Sequence, residues 1–254
     1  MRVVVTGGTG FLGRALVGAL ADRGAEAVVV TRDPSRADLP PGARGIGWDG
    51  LATAVDGSDA VVNLAGETIA QRWTTAAKSR IVGSRAQAAE RVGAALRASK
   101  NPPAVLVNAS AVGFYGNRGD EELTEESPAG SGFLAETTLA WERAARETVP
   151  DDVRLVLLRT GVVLDAAEGA LAKMLLPFRF GLGGPLGSGT QWMPWIHRDD
   201  LVALLLVALD DPRYVGPVNG TAPGPVPMRV FAAALGRVLR RPAFAPAPAF
   251  AIRA

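Results

Sequence analysis

Three glycines near the amino terminus have the spacing of a phosphate-binding loop. In the stretch TGGTGFLGRALVGAL, Gly7, Gly10 and Gly13 follow directly on the apolar run RVVVT. In a strand–turn–helix unit, the first glycine permits a sharp turn, the second lets backbone approach a pyrophosphate, and the third lets the helix pack closely. Unpaired N–H groups at the helix start then bind phosphate oxygens. The motif predicts a dinucleotide site. The contacts predicted here are Thr6, Gly7, Gly8, Thr9, Gly10, Phe11, Leu12 and Gly13.

The residues after the second apolar run distinguish between two forms of such a cofactor. Thr31 and Arg32 follow this run, and Arg36 comes shortly after them. A site for NAD(H) usually has Asp or Glu here to bind the ribose hydroxyls, whereas arginine suits the 2′-phosphate of NADP(H). Solvated loop arginines are the alternative, since most arginines are exposed. The sequence favours NADP(H) over NAD(H), with these three residues as contacts.

Short β-branched runs alternate with helical patterns along most of the chain. The predicted strands span residues 2–6, 27–31, 59–65, 104–110 and 154–160, and the predicted helices span 11–23, 74–98, 133–148 and 198–210. Continuous apolar runs are typical of strands buried on both faces of a parallel sheet. The alternation predicts an α/β fold, a Rossmann doubly wound parallel sheet with a small C-terminal substrate lobe.

A glycine-rich stretch, FGLGGPLGSGT at 180–190, and two proline-rich stretches after residue 211 interrupt this alternation. They predict a lobe over the open end of the sheet. The predicted NADP(H)-binding Rossmann domain comprises residues 1–164 and 198–211, and the predicted lobe comprises 165–197 and 212–254.

The composition excludes several classes of protein. The 254 residues include no cysteine and one histidine, His197. Disulfides, zinc–thiolate sites and multi-histidine metal sites are therefore excluded, and no metal is predicted. The 27 lysines and arginines are spread along the chain and the formal net charge is +2, which argues against a nucleic-acid or membrane partner. The first apolar run is too short for a signal peptide or a membrane span, so a cytoplasmic protein is expected.

Five stretches, in this order, resemble the extended short-chain dehydrogenase/reductases. They are TGGTGFLG, NLAGE at 63–67, SAVGFYG at 110–116, LRTGVVL at 158–164 and PWIHRDDL at 194–201. More narrowly, the chain is similar to an atypical, sugar-nucleotide-epimerase-like group of NAD-dependent epimerases and dehydratases, in which GLGGPLGSG followed by PWIH recurs. Members of that group usually extend further, so this chain is expected to stop within the substrate lobe.

The resemblance implies roles for several residues. The NLAG turn would lie by the adenosine ribose and pyrophosphate, and residues 159–162 would pass the nicotinamide. Ser110 would hydrogen-bond a carbonyl or hydroxyl of the substrate. The further cofactor contacts that the resemblance implies are Leu64, Ala65, Gly66, Arg159, Thr160, Gly161 and Val162.

The pair of residues that transfers the proton in typical members is absent. Those enzymes have Y-x-x-x-K on the helix after the serine strand, where tyrosine transfers the proton and lysine lowers the tyrosine pKa. Family helices often place a glutamate four residues after the lysine. Aligning that glutamate to Glu142 puts Leu134 at the tyrosine position and Thr138 at the lysine position. Leucine cannot transfer a proton, so the usual mechanism is absent.

Other residues could replace the missing proton donor. Ser110 and Tyr115 are the predicted catalytic residues, although a tyrosine at a strand exit is often only a packing residue. Glu67 follows the NLAG turn, at the edge of the sheet where ligands bind. His197 could act as a general acid. A surface glutamate and a structural histidine are the alternatives for these two.

The residues predicted to contact the substrate are Glu67, Trp192, Trp195 and His197. Trp192 and Trp195 could stack on a flat or sugar-ring substrate, or form an apolar lid. Sugar-nucleotide enzymes often carry an arginine for the diphosphate near this point, and the stretch GTQWMPWIH has none. This weakens the sugar-nucleotide interpretation, although Arg179, further upstream, could substitute. Asp199 and Asp200 are predicted to cap the helix that follows.

Two functions fit these residues, and a third, less favoured interpretation is a structural scaffold that binds no nucleotide. The first is an NADP(H)-binding epimerase- or oxidoreductase-like enzyme that acts on an unknown small polar substrate with a non-standard proton donor. The second is a non-catalytic NADP(H)-binding sensor or regulatory protein, which the missing tyrosine and lysine would suit. The fold alone does not distinguish them. A small molecule is the expected partner, and a homodimer is the assembly considered.

Overall fold

The centre of the structure is a parallel sheet, seen in a computed structural model that describes residues 1–245. The strands are β1 (Arg2–Thr6), β2 (Glu26–Val30), β3 (Ala43–Ile46), β4 (Ala60–Asn63), β5 (Val105–Ala111), β6 (Arg154–Thr160), β7 (Val162–Leu164), β8 (Trp192–Met193), β9 (Trp195–His197), β10 (Gly216–Gly220) and β11 (Val226–Pro227). The main sheet has seven strands in the order β10-β6-β5-β4-β1-β2-β3. All of its neighbouring strands pair in parallel.

Helices cover both faces of this sheet. They are α1 (Phe11–Asp22), α2 (Leu51–Val55), α3 (Thr75–Ala98), α4 (Phe133–Thr148), α5 (Gly169–Arg179), α6 (Arg198–Asp210) and α7 (Met228–Leu239). Successive strand residues point to opposite faces, and β1 shows the result. Val3 and Val5 pack in one core with α1 and α6, while Val4 packs in a second core with α2 and α3. The predicted doubly wound Rossmann fold is confirmed.

The predicted elements with long apolar or amphipathic patterns have the expected bounds. The helices predicted over 133–148 and 198–210 begin and end as expected. Helix α1 stops where Gly24 adopts φ +69°, the left-handed conformation expected of its cap. No pattern in the sequence predicts β3 or α2. The four residues of β3 form an edge strand that is only partly buried, so its sequence lacks the apolar run that marks the central strands.

The last strand of the main sheet corrects the predicted domain division. Gly216–Gly220 was assigned to the lobe, but its backbone pairs with β6 along the edge of the sheet. The sequence GPVNG is poor in strand-forming residues, and only its pairing with β6 identifies it as a strand. Residues 246–254 of the predicted lobe lie outside the described part of the chain.

Beyond the sheet, a small apolar cluster joins the elements on either side of α6. Leu164, Phe178, Met193, Met228 and Ala232 form this cluster. Two short sheets accompany it, one of β8 with β11 and one of β7 with β9. Within residues 1–245, no helix is long and apolar enough to cross a membrane.

Close contact between α3 and α4 gives a test of this packing. A Cβ atom added at Gly93 on α3 would lie 2.3 Å from Cβ of Thr148 and 2.8 Å from its carbonyl oxygen. Gly93→Ala should therefore force the helices apart and lower the free energy of unfolding by about 1–3 kcal/mol. Urea denaturation measures this change.

Gly83→Ala is the matched control, because it lies on the same helix with its nearest neighbour 3.9 Å away. The greater helix propensity of alanine should leave stability unchanged or raise it by up to about 1 kcal/mol. Equal stability of the two variants would contradict the tight α3–α4 contact.

Candidate nucleotide site and the buried network beside it

A pocket of about 420 Å³ opens at the carboxyl ends of the central strands. It lies where β1 and β4 are neighbours and the chain continues to opposite sides of the sheet, which is where open α/β sheets bind ligands. The lining residues are Gly7, Thr9, Gly10, Val30, Thr31, Arg32, Trp48, Leu64, Ala65, Gly66, Glu67, Ser84, Gln87, Ala88 and Arg91. Nine of the residues predicted from the sequence are therefore together in one pocket.

The glycine loop forms the floor of this pocket. Gly7 has φ +69°, and a Cβ atom there would lie 2.8 Å from the backbone of Leu64. A Cβ atom at Gly13 would lie 2.2 Å from the carbonyl oxygen of Gly7, so only glycine lets α1 pack this closely. Gly10 is the N-cap residue of α1 and brings no side-chain cap. The first N–H groups of α1 are thus left for an anion in the pocket.

A buried chain of polar side chains holds the strand ends beneath the loop. The hydroxyl of Thr6 donates to Oδ1 of Asn63 at 2.6 Å, and Nδ2 of Asn63 donates to Oδ1 of Asn108 at 2.6 Å. The three residues are paired neighbours on β1, β4 and β5, and all are fully buried. Thr6 was predicted as a cofactor contact, and its hydroxyl proton is donated to Asn63 within this row of buried polar side chains. The asparagines were missed, although each ends an apolar run.

The two arginines predicted for the 2′-phosphate differ in position. Arg32 lines the pocket. Arg36 does not, and its side chain is 88% exposed with Nε 3.4 Å from a carboxylate oxygen of Asp33. Trp48 and Arg91 line the pocket instead. Both were missed because they are distant from Arg32 in the sequence and belong to no motif.

The turn at Glu67 is held by the Ser-Arg pair of α3. The backbone N–H of Glu67 donates to Oγ of Ser84 at 2.9 Å, and Arg85 donates to the carbonyl oxygen of Glu67 at 2.9 Å. Burial lowers the pKa of Arg85, with partial compensation by the charge of Glu67. The Glu67 carboxylate lies 3.9 Å from Nε of Arg80. The backbone of the turn is thereby fixed, and Glu67 is one of the residues that line the pocket.

Beside this pocket lies a buried network around Glu142 and Arg159, whose side chains are each 3% exposed. Arg159 donates to both carboxylate oxygens of Glu142, at 2.9 and 3.0 Å, in the two-pronged geometry of a strong ion pair. The hydroxyl of Ser110 donates to the same carboxylate at 2.6 Å. The guanidinium also lies over the ring of Phe114, 3.6 Å from its centre. Ser110 thus faces α4, with its hydroxyl proton engaged.

Tyr115 belongs to the same network. Its hydroxyl accepts from Arg159 at 3.0 Å and donates to Oδ1 of Asn219 on β10 at 2.7 Å. Burial lowers the pKa of Arg159, but its hydrogen bonds with Glu142 and Tyr115 outweigh this and raise the pKa overall. The two predicted catalytic residues, Ser110 and Tyr115, are therefore brought together, each with its hydroxyl hydrogen-bonded inside the protein.

On α4, Leu134 and Thr138 occupy the positions where typical members carry tyrosine and lysine, and neither offers a proton to the pocket. Leu134 is 37% exposed and packs by Gly113, where an added Cβ atom would be 3.3 Å from the leucine Cβ. The hydroxyl of Thr138 is buried and donates to the carbonyl oxygen of Leu134 at 2.5 Å. The Thr138 hydroxyl is therefore hydrogen-bonded within its own helix and is buried from solvent.

The remaining predicted residues lie where the sheet meets the lobe. His197 is the N-cap residue of α6 and accepts from the N–H of Asp199 at 3.2 Å. This corrects the predicted cap, because Asp199 and Asp200 lie in the first turn instead. Trp192 donates to Asp120 at 2.7 Å, and Trp195 pairs with Val162.

The link between sheet and lobe runs through residues 160–162. A Cβ atom at Gly161 would lie 2.6 Å from the carbonyl oxygen of Pro194, and Val162 donates to the same oxygen at 2.7 Å. Gly161 donates to Gly220 at 3.0 Å. Thr160 ends β6 and its side chain is partly buried. None of residues 159–162 lines the glycine-loop pocket.

Removing the charge of Glu142 tests the buried network. In Glu142→Gln, Arg159 keeps its buried charge without a counterion, so the free energy of unfolding should fall by about 3–5 kcal/mol. The exposed Glu147 of the same helix provides the control, and Glu147→Gln should change stability by less than about 0.5 kcal/mol. If thermal or urea unfolding gave similar values for both variants, the ion pair would not contribute as described.

The relatives named here align with the whole length of this chain. The NAD dependent epimerase/dehydratase family model matches residues 3–219. The Arabidopsis thaliana epimerase family protein SDR39U1 homolog, chloroplastic, is 44% identical over 264 residues, covering 100% of this chain and 75% of the relative. The Homo sapiens epimerase family protein SDR39U1 is 42% identical over 260 residues, covering 100% of this chain and 86% of the relative.

Solved structures have the same architecture. The crystal structure of human epimerase family protein SDR39U1 (isoform 2) with NADPH matches at a TM-score of 0.88 and 42% identity, covering 98% of this chain and 83% of that chain. The nucleoside-diphosphate sugar epimerase from Corynebacterium glutamicum matches at a TM-score of 0.78 and 36% identity, covering 98% of this chain and 53% of that chain. These relatives confirm the resemblance drawn from the motifs, and the chain belongs to the NAD dependent epimerase/dehydratase family.

Proposed function

We propose that this protein binds NADP(H) at the glycine-loop pocket and acts on a small polar substrate as an epimerase- or oxidoreductase-like enzyme. The observation that carries the proposal is the position of Arg32. It lines the pocket just after β2, where a carboxylate would favour NAD(H). The human relative crystallised with NADPH supports the same choice of cofactor.

The residues of the pocket fit the adenosine and pyrophosphate parts of the cofactor. The N–H groups that follow Gly10 would bind the pyrophosphate, and the guanidinium of Arg32 would bind the 2′-phosphate. Leu64 to Gly66 would lie along the ribose. When bound, the nicotinamide would supply or accept a hydride. The protein must then supply the proton that accompanies it.

Among the candidates for this proton, Glu67 is the one that lines the glycine-loop pocket, and its backbone is held by Ser84 and Arg85. Ser110 and Tyr115 remain proposed participants that would have to exchange internal hydrogen bonds for bonds to substrate. For His197, the cap it provides to α6 favours a structural role.

A second function, an NADP(H)-binding sensor without turnover, is favoured by a different observation. At the two helix positions where typical members carry tyrosine and lysine, Leu134 is apolar and the Thr138 hydroxyl bonds its own helix. In a sensor, cofactor binding would alter association with another protein. The substrate, a homodimer and a cytoplasmic location remain predictions.

Reversing the charge of Arg32 tests the cofactor. Arg32→Glu should weaken NADPH binding by about 2–4 kcal/mol, since a charged hydrogen bond is replaced by repulsion of the phosphate. NADH binding should change far less, because NADH lacks the 2′-phosphate. Titration calorimetry with both nucleotides measures this. Equal losses for the two would exclude Arg32 as the 2′-phosphate contact.

Turnover distinguishes the enzyme from the sensor. With NADPH and a panel of carbonyl compounds, we expect the enzyme to consume NADPH with at least one compound. Glu67→Gln should then lower kcat by about 100-fold or more, the usual contribution of a general acid. Glu147→Gln, on the far end of α4, should leave kcat unchanged. No consumption with any carbonyl would exclude a reductase, whereas an epimerase returns its hydride to the substrate and consumes no net NADPH. Tight NADPH binding with neither NADPH consumption nor epimerisation of a polar substrate would favour the sensor.

A further inference from the structure

Two arginines that line the nucleotide pocket have no anionic partner among residues 1–245. Within residues 1–245, neither Arg32 nor Arg91 makes a hydrogen bond or an ion pair through its side chain. Other exposed arginines of the same region do find partners. Arg36 lies near Asp33, and Arg80 lies near Glu67. Two uncompensated positive charges that face one pocket point to an anionic ligand group there.

The pairing of β2 with β3 brings these two arginines to the same side of the pocket. Val30 pairs with Ile46, and the N–H of Thr31 donates to Ile46 at 2.9 Å. Arg32 and Trp48 each lie two residues beyond this pair, so they leave the sheet on strands that are about 4.8 Å apart. The guanidinium of Arg91 lies 5.4 Å from the centre of the Trp48 ring. Trp48 thereby holds Arg91 beside the exit of β2.

Helix α3 presents Arg91 from a fixed position. Ser84, Gln87, Ala88 and Arg91 all line the pocket, and this spacing of three and four residues places them on one helix face. The start of this face is anchored, because Oγ of Ser84 accepts from Glu67. Ala88 is buried and small, which leaves room for a ligand between the loop and the helix.

The charges that line the pocket favour a second anionic group in addition to the pyrophosphate. Glu67 is the one carboxylate among the lining residues, and its charge lies near Arg80 and Arg85. The pyrophosphate has its own donors in the glycine loop. A phosphate on the adenosine ribose is the further anion that NADP(H) carries and NAD(H) lacks.

We infer that Arg91 and Arg32 together bind the 2′-phosphate, so that Arg91, on a distant helix, is a specificity-determining residue for NADP(H). This inference rests on the proposed function in requiring NADP(H) as the ligand. On binding, Arg91 exchanges its contact with the Trp48 ring for charged hydrogen bonds to the phosphate. A cation–π contact at an exposed site is weaker than charged hydrogen bonds to a phosphate, so this exchange is favourable.

The test compares two adenosine fragments and two dinucleotides on the full chain. We would measure the dissociation constants of 2′,5′-ADP, 5′-AMP, NADPH and NADH for the wild type, Arg91→Met and Arg91→Lys. Arg143→Met is the matched control, because Arg143 is exposed on α4, lines no part of the pocket and loses the same charge. Circular dichroism spectra and melting temperatures establish that each variant is folded.

We expect Arg91→Met to weaken 2′,5′-ADP and NADPH by roughly 10- to 100-fold, the range of one charged hydrogen bond. The affinities for 5′-AMP and NADH should change less than about 3-fold. Arg91→Lys should recover part of the loss, and Arg143→Met should match the wild type.

Two other outcomes would overturn the inference in different ways. Equal losses for 2′,5′-ADP and 5′-AMP would mean that Arg91 and Trp48 stack on the adenine and do not read the phosphate. Wild-type affinity of Arg91→Met for all four ligands would exclude Arg91 from the site while leaving the proposed function intact. If the wild type itself bound none of the four, the proposed function would fail first.

Discussion

The arrangement of α4 against β5, β6 and β10 depends on the buried ion pair between Glu142 and Arg159. Two charges removed from water are tolerated only when every donor and acceptor around them is satisfied. Here Ser110 and Tyr115 supply further hydrogen bonds to the pair, and Asn219 extends the hydrogen-bond network to the edge strand β10. Helix α4, β5, β6 and β10 are therefore fixed relative to one another by charge and hydrogen bonding as well as by apolar packing.

The part of the same sheet edge that carries the glycine-loop pocket, its nucleotide half, is different. There the polar groups are left open, since the glycine loop offers N–H groups, and Arg32 and Arg91 line the pocket without a carboxylate partner in the described part of the chain. The network around Glu142 is internally satisfied, whereas the glycine-loop pocket is poised for an anion. The nucleotide half therefore has groups that can hold a dinucleotide, while α4 carries Leu134 and a Thr138 hydroxyl bonded within its own helix where a tyrosine and a lysine are typical.

Local motifs were predictable from the sequence, and contacts between distant elements were not. The glycine loop and Arg32 follow from their neighbours in the chain, because a strand, a turn and a helix start fix their own geometry. Arg91 joins the pocket only through the register of two strands and the orientation of α3. The pairing of Glu142 with Arg159 depends in the same way on how α4 crosses the sheet. The edge strand at 216–220 carries almost no strand signal of its own and exists through pairing with β6.

The chain of Thr6, Asn63 and Asn108 under the glycine loop is built from neutral groups alone. A hydroxyl and two amides neither gain nor lose a proton between the acid and alkaline limits at which proteins unfold. The platform that carries the loop therefore keeps one hydrogen-bonding pattern through any change of acidity that the fold survives. Any acid or alkaline loss of nucleotide affinity would have to come from the ligand's phosphates or from ionisable side chains around the pocket, with the spacing of the strand ends unchanged.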